Sequence, residues 1–166
     1  PALLMASPLA ALAQSAPEIS TIVAFSGSQP GGTPVRGPDG ALYGTTSVVT
    51  ALTGGLIYRA AADGSSMRTL YQIRITEGLN PVAGLLLASD GLLYGVTTGG
   101  FLDVIEVKTG KAVYRQRLGV GQVYSSVAFA GGLLYVFDLR GKAIVFKPGR
   151  RFERVAVNEL EGTGSC

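Results

Sequence analysis

The sequence predicts an all-β chain of repeated four-stranded antiparallel sheets, and three observations predict it. A segment recurs: Asp39-Gly-Ala-Leu-Tyr-Gly-Thr-Thr46 returns as Asp90-Gly-Leu-Leu-Tyr-Gly-Val-Thr97, and Gly131-Gly-Leu-Leu-Tyr-Val-Phe137 is a weaker third copy. Glycine fills 24 of the 166 positions and charged residues only 15%, which suits short strands joined by tight turns. No window sustains a helical period, and several alternate with period two.

The copies lie about fifty and then about forty residues apart, the spacing of β-propeller blades with four strands each. The chain therefore reads as a partial β-propeller of about three to four blades of antiparallel four-stranded sheets, three complete and a fourth at most begun.

Each element has a local reason. Asp-Gly predicts a type I′ turn, because glycine accepts positive φ without steric cost and aspartate tolerates it. The strand that follows places Leu42 and Gly44 on one face, with Tyr43 and Thr45 on the other. Gly44 and Gly95 are expected to admit a neighbouring sheet or backbone. Val136 takes that place in the third copy, so that blade is expected to pack differently. Gly55 to Ala61, ending at Asp63-Gly64, and Met67 to Ile73 read as a hairpin. Asn80-Pro81 predicts a turn before a strand over Val82 to Ala88. Further strands are expected at Phe101 to Val107, Ala112 to Leu118, Val123 to Ala130, Ala143 to Lys147 and Phe152 to Val157. Gly27 to Gly32 and Gly99-Gly100 read as ordinary loops, since neither opens a helix that could cradle a phosphate.

Residues 1–13, PALLMASPLAALA, carry no charge and end in an Ala11-Leu12-Ala13 site of small residues. They read as a secretory signal peptide cut between Ala13 and Gln14, leaving 14–166 as an incomplete propeller domain. The run is too short to span a membrane, and no transmembrane segment is expected in the mature chain. The missing basic start and initiator Met, with Cys166 as the last residue, make the chain read as a fragment.

Of the 14 lysines and arginines, only Arg36, Arg59, Arg68 and Arg74 precede Gly100. Arg150 and Arg151 follow Pro148-Gly149 and read as a solvated loop. No basic stripe interleaved with aromatics appears, so nucleic acid is not expected as a partner.

Two resemblances extend this reading. Gly78-Leu-Asn-Pro-Val-Ala-Gly-Leu85, the Asp-Gly-x-Leu-Tyr-Gly-x-Thr strands, Gly54-Gly55 before Leu56-Ile-Tyr-Arg59, and Ala62-Asp-Gly-Ser65 before Thr69-Leu-Tyr71 resemble the GloVer tandem repeats of exported bacterial proteins, over about residues 20–100. That resemblance implies propeller blades, secretion and surface or anchored display, and no defined activity. Beyond Gly100, Val104-Ile-Glu-Val-Lys-Thr-Gly-Lys-Ala-Val-Tyr114, Tyr124-Ser-Ser-Val-Ala-Phe-Ala-Gly-Gly-Leu-Leu-Tyr135 and Gly141-Lys-Ala-Ile-Val-Phe-Lys-Pro-Gly149 resemble a quinoprotein (PQQ)-like propeller. There an aromatic side chain docks on the next blade, and Tyr114 stands where that family carries tryptophan.

Chemistry is sparse. Histidine is absent and Cys166 is the single cysteine, which removes His-based general bases, a Ser-His-Asp triad and the common zinc ligand sets. Asp39, Asp63 and Asp90 each precede glycine and read as turn residues rather than calcium ligands. Tyr43, Tyr94 and Tyr135 read as inter-blade core, with a ligand-stacking platform as the alternative. Asp138 and Arg140 read as a turn-stabilising pair. No catalytic residue, binding residue, metal ligand or cofactor is assigned. The expected function is an exported, secreted or periplasmic, non-enzymatic scaffold for binding or display, with a protein or glycan outside the cytoplasm as partner. The alternatives are a fragment of a PQQ-like quinoprotein dehydrogenase and a periplasmic envelope-assembly scaffold.

Overall fold

The computed structural model describes residues 24–25, 28–48, 53–74 and 83–159, which form thirteen strands and no helix. The expected cleavage site at Ala13 and Gln14, the Asn80-Pro81 turn and Cys166 lie outside the described residues. Among the described residues no helix is long and apolar enough to cross a membrane.

The strands make three antiparallel sheets in chain order. In the first blade, β1 (Ser28–Pro30) and β2 (Val35–Arg36) both pair with β3 (Leu42–Val48), followed by β4 (Thr53–Ala60) and β5 (Met67–Arg74). Ser28 faces Val48 and Val35 faces Tyr43, so β1 and β2 are two halves of one interrupted edge strand. The second blade is β6 (Leu86–Leu87), β7 (Leu92–Val96), β8 (Phe101–Glu106) and β9 (Ala112–Arg117). The third is β10 (Ala128–Ala130), β11 (Leu133–Phe137), β12 (Lys142–Phe146) and β13 (Arg154–Glu159). Three blades are complete, and no fourth begins among the described residues.

The expected strands recur with shorter first members. Only Leu86–Leu87 of the segment 82–88 and Ala128–Ala130 of 123–130 pair as strands. The residues before them instead tie the blade entries together: the Gly84 amide donates to Ser126 Oγ at 2.9 Å, and Thr45 Oγ1 donates to the Ala83 carbonyl at 3.3 Å. The glycine-rich segment 27–32 is also more than a loop, since Ser28–Pro30 pairs with β3. Its Gly32 makes the close backbone approach, because a Cβ there would overlap the backbone of Gly84. At Gly44 and Gly95 the expected sheet or backbone contact is replaced by side chains. Tyr58 of the same blade folds over Gly44, and Leu85 fills the space at Gly95, 2.9 Å from where a Cβ would stand.

The turns differ from the type I′ expectation. The Gly40 amide donates to the Gly37 carbonyl and the Gly37 amide to the Ala41 carbonyl, at 3.0 and 2.8 Å. The turn therefore runs from Gly37 to Gly40, with Pro38 and Asp39 at its centre and Gly40 (φ 76°) as the left-handed residue after it. This is a three-residue loop, a type I turn followed by a glycine bulge. Ser89 holds the place of Pro38 in the second copy, and the same turn forms. In both copies the aspartate carboxylate accepts the amide two residues on, Ala41 or Leu92, which holds it at the second central position. Gly91 closes the corresponding turn of blade two on Ala88, and Gly141 closes a turn of the same bonding pattern between β11 and β12 on Asp138.

Register explains how the blades stack. Tyr43 faces Arg59, Tyr94 faces Val104 and Tyr135 faces Val145 across the second and third strands. Ala41, Tyr43 and Ile57 of blade one pack with Leu85, Leu93, Ile105 and Val107 of blade two. The opposite face of blade two, Leu92, Tyr94, Val96, Leu102 and Val104, packs on Leu134, Val136, Ile144 and Phe146 of blade three. Blade two thus presents its front to blade three and its back to blade one, and is buried on both faces. Val136, fully buried in the back face of blade three, is how that blade fills the place of Gly44 and Gly95.

Candidate functional site

The recurrent tyrosines divide between two roles. Tyr43 and Tyr94 are buried, at 1% and 0% exposure, and are core rather than a stacking platform. Each hydroxyl donates to the aspartate four residues earlier, Asp39 or Asp90, at 2.9 Å. The other carboxylate oxygen of each accepts an amide, from Ala41 or Leu92. These aspartates are turn residues as expected, and each also secures a buried tyrosine. Burial is the main cause that pushes both phenols above the ordinary range. Tyr135 is only half-buried, and its ring stacks on Phe137 with centroids 6.5 Å apart.

Asp138 makes a different bond from the expected one. Its Oδ1 accepts the backbone amides of Arg140 and Lys142, both at 2.9 Å, and its Oδ2 accepts the Gly121 amide at 2.8 Å. No bond to the Arg140 guanidinium is involved. The carboxylate fastens the β11–β12 turn to the connection between blades two and three. The Leu139 amide to Gln122 carbonyl bond, 2.9 Å, and the Val123 amide to Thr98 carbonyl bond, 3.1 Å, complete the fastening. Partial burial alone would raise the Asp138 pKa; the three backbone donors and nearby Lys142 outweigh it and hold the carboxyl below its usual range.

This fastening shapes a surface. Two adjoining clefts of about 390 and 400 Å³ meet at Gly121 and Arg140. Thr98, Gln122 and Leu139 line one, and Asp138, Lys142 and Glu159 the other. Because Leu139 and Arg140 occupy the centre of a pinned turn, their side chains project outward; Leu139 is 57% exposed. Tyr124, on the adjoining connection, is 53% exposed. Large apolar groups held in water beside an arginine on a rigid loop are the usual makings of a binding anchor. Sequence reading passed over Tyr124 and Leu139, although a leucine at the centre of a tight hairpin turn is a legible sign of exposure.

Arg150 lies on a loop as expected and reaches back one blade, its Nη1 2.9 Å from Glu106 Oε1. Tyr114 packs against the core shared by blades two and three, the docking role the quinoprotein resemblance implied. Among the described residues no group of three His, Cys, Asp or Glu could hold a metal ion.

These blades, with the fronts of the first two covered by the backs of the second and third, define a partial β-propeller. Among solved structures the chain is similar to BamB from Moraxella catarrhalis, at TM-score 0.56 and 14% identity over 78% of this chain and 35% of that one. It is also similar to a europium-containing methanol dehydrogenase, at TM-score 0.61 and 15% identity over 83% of this chain and 26% of that one. The chain thus spans about a third and a quarter of their lengths. No protein-family model and no curated protein matches the sequence.

Proposed function

We propose that this chain is a non-enzymatic β-propeller segment that binds a protein partner outside the cytoplasm through the loop surface of Tyr124, Leu139 and Arg140. The observation that carries this reading is the exposure of Tyr124 and Leu139 on a connection fixed by the three amide bonds to Asp138. A pre-fixed loop loses little conformational entropy on binding, so exposed apolar groups there are effective anchors. The signal-like leader and the resemblance of residues 20–100 to GloVer repeats support export and display. Likeness to BamB fits an envelope scaffold as well as it fits any other propeller, since fold alone does not choose a function.

The test presents the purified protein, immobilised, to solubilised envelope proteins and to cell-wall glycans. A specific protein captured by the wild type and lost with Leu139→Lys and Tyr124→Ala supports the reading. Binding to glycan alone, or capture indifferent to both substitutions, overturns it.

The methanol dehydrogenase likeness supports a second reading, a segment of a quinone-dependent dehydrogenase. The described residues supply no metal-ligand cluster for it. Dye-linked alcohol oxidation by the protein supplied with quinone and metal distinguishes the two readings.

A further inference from the structure

Alternating strand direction gives each blade two ends. The turns between second and third strands, and the connections between blades, lie at one end with Tyr124, Leu139 and Arg140. The turns between third and fourth strands lie at the other, over residues 61–66, 106–111 and 147–153, each closed by an amide-to-carbonyl bond across it. These three turns form one continuous rim. A Cβ at Gly110 would stand 3.1 Å from the Leu70 carbonyl oxygen, so the blade-two turn lies against β5 of blade one. Arg150 Nη1 lies 2.9 Å from Glu106 Oε1, so the blade-three turn lies against that of blade two. Blades stack through their faces, and the rim is an end of the sheets that stacking leaves open.

The rim is basic. Counting Arg68 and Arg154 at the starts of β5 and β13, it carries seven cations against three carboxylates, Asp63, Glu106 and Glu153. That excess is larger than the whole chain's net charge of +3. The carboxylates are already engaged: Glu106 by Arg150 and Thr109, Glu153 by Lys147, and Asp63 by Ser65. At the same end, Asp39 and Asp90 are committed to Arg59 and to the tyrosine hydroxyls. Arg68, Lys108, Lys111, Arg151 and Arg154 are exposed, and none has an acidic partner among the described residues. Like charges gathered in this way repel one another and attract an anionic surface.

We propose that this rim docks on an anionic lipid surface. Its unpaired cations sit on long side chains spread over three blades, which suits a plane of mobile headgroup charges better than one phosphate in a pocket. Met67, beside Arg68 and 47% exposed, supplies an apolar side chain that can enter the headgroup layer. Nucleic acid fits less well. The one aromatic ring in these turns, Phe152, is half-buried against Phe146 with centroids 5.5 Å apart, which leaves bases nothing to stack on. Because the surface of Tyr124, Leu139 and Arg140 lies at the opposite end of the blades, lipid and partner would not compete for one site.

The test is co-sedimentation of the full chain with vesicles of phosphatidylcholine alone and of phosphatidylcholine mixed with phosphatidylglycerol. Binding should require the anionic lipid and fall away as salt rises. Lys111→Glu combined with Arg151→Glu should weaken it about 25-fold or more, about fivefold for each cation removed. Arg117→Glu combined with Arg140→Glu makes the same change in net charge at the other end and should bind vesicles like the wild type. Both pairs should keep the wild-type circular dichroism spectrum, and the lipid and salt dependence of the wild type reads the proposal even if a pair does not fold. The Lys111 and Arg151 pair should still capture a protein partner, and Leu139→Lys should still bind vesicles, so this inference and the proposed function fail separately. No binding to the anionic vesicles, equal binding to both kinds, equal losses in the two folded pairs, or retention on duplex DNA without vesicle binding each overturns the proposal.

Discussion

The Tyr94 hydroxyl donates a 2.9 Å hydrogen bond to the carboxylate of Asp90, four residues earlier across the same hairpin. The same hydroxyl accepts the Gly149 amide at 2.8 Å, so it also joins blade two to the β12–β13 loop of blade three. Tyr43 repeats the first bond with Asp39, which is held in addition by Arg59, the largest cause of its lowered pKa. In the third copy Gly131 replaces the aspartate, and Tyr135 is free to turn onto Phe137. The recurrent Asp-Gly-x-Leu-Tyr segment is thus a closed bracket in the first two blades, and an open one in the third, where the aspartate is missing.

Removing the Tyr94 hydroxyl breaks both bonds at a fully buried ring. Tyr94→Phe should cost about 1–3 kcal/mol, because the Gly149 amide is left without its acceptor and Asp90 loses a donor. Tyr43→Phe should cost less, about 0.5–1.5 kcal/mol, since Arg59 still satisfies Asp39. Urea unfolding midpoints measure both, and equal losses would show that the bond to Gly149 contributes nothing.

Tyr114 predicts the opposite sign. Its hydroxyl is buried with no hydrogen-bond partner among the described residues, and burial is the main cause pushing its pKa up to about 12. Deleting an unsatisfied polar atom relieves its desolvation cost, so Tyr114→Phe should be neutral or stabilising by about 1 kcal/mol. A clear loss of stability on thermal unfolding would mean that the hydroxyl is satisfied after all.

The tight fit at Gly44 gives a coupled prediction. A Cβ there meets the Tyr58 ring and hydroxyl, so Gly44→Ala should destabilise by about 1–3 kcal/mol through overpacking. In a Tyr58→Leu background the same substitution should cost much less, a coupling read from a double-mutant cycle. Additive effects would rule out Tyr58 as the obstacle.

How much of this was legible follows from which forces act locally. Strand positions, the three-blade count and the burial of Tyr43 and Tyr94 were readable because side-chain alternation and repeat spacing are written in the chain itself. The turn type was misread from Asp-Gly alone, because the bonds that hold each aspartate at the second central position, to the amide and the tyrosine that follow, form only in the folded hairpin. Gly32 and Gly84 meet across blades, and the partners of Asp138 come from Gly121 as well as its own turn. Such contacts depend on how two sheets stack, which no local pattern encodes. The exposed surface at Tyr124 and Leu139 was missed for the same reason: exposure of an apolar residue shows only once the core has a fixed boundary.

The linkage between Asp138 and pH follows from its bonds. Its pKa lies below the ordinary value of 3.8, because the amides of Gly121, Lys142 and Arg140 and the charge of Lys142 outweigh the effect of partial burial. A carboxyl depressed in the folded state contributes stability that is fully present above the unfolded pKa and is lost as pH falls through the folded one. Asp138→Ala should therefore cost about 1–2 kcal/mol near neutral pH, where three amide donors lose their acceptor. That deficit should shrink as the wild type is acidified through and below about pH 4. Urea midpoints of both proteins across that range give the comparison. A deficit constant down to the lowest pH would mean that Asp138 holds the turn by shape rather than by its charge, and the fastening of Leu139 and Arg140 would then need another source.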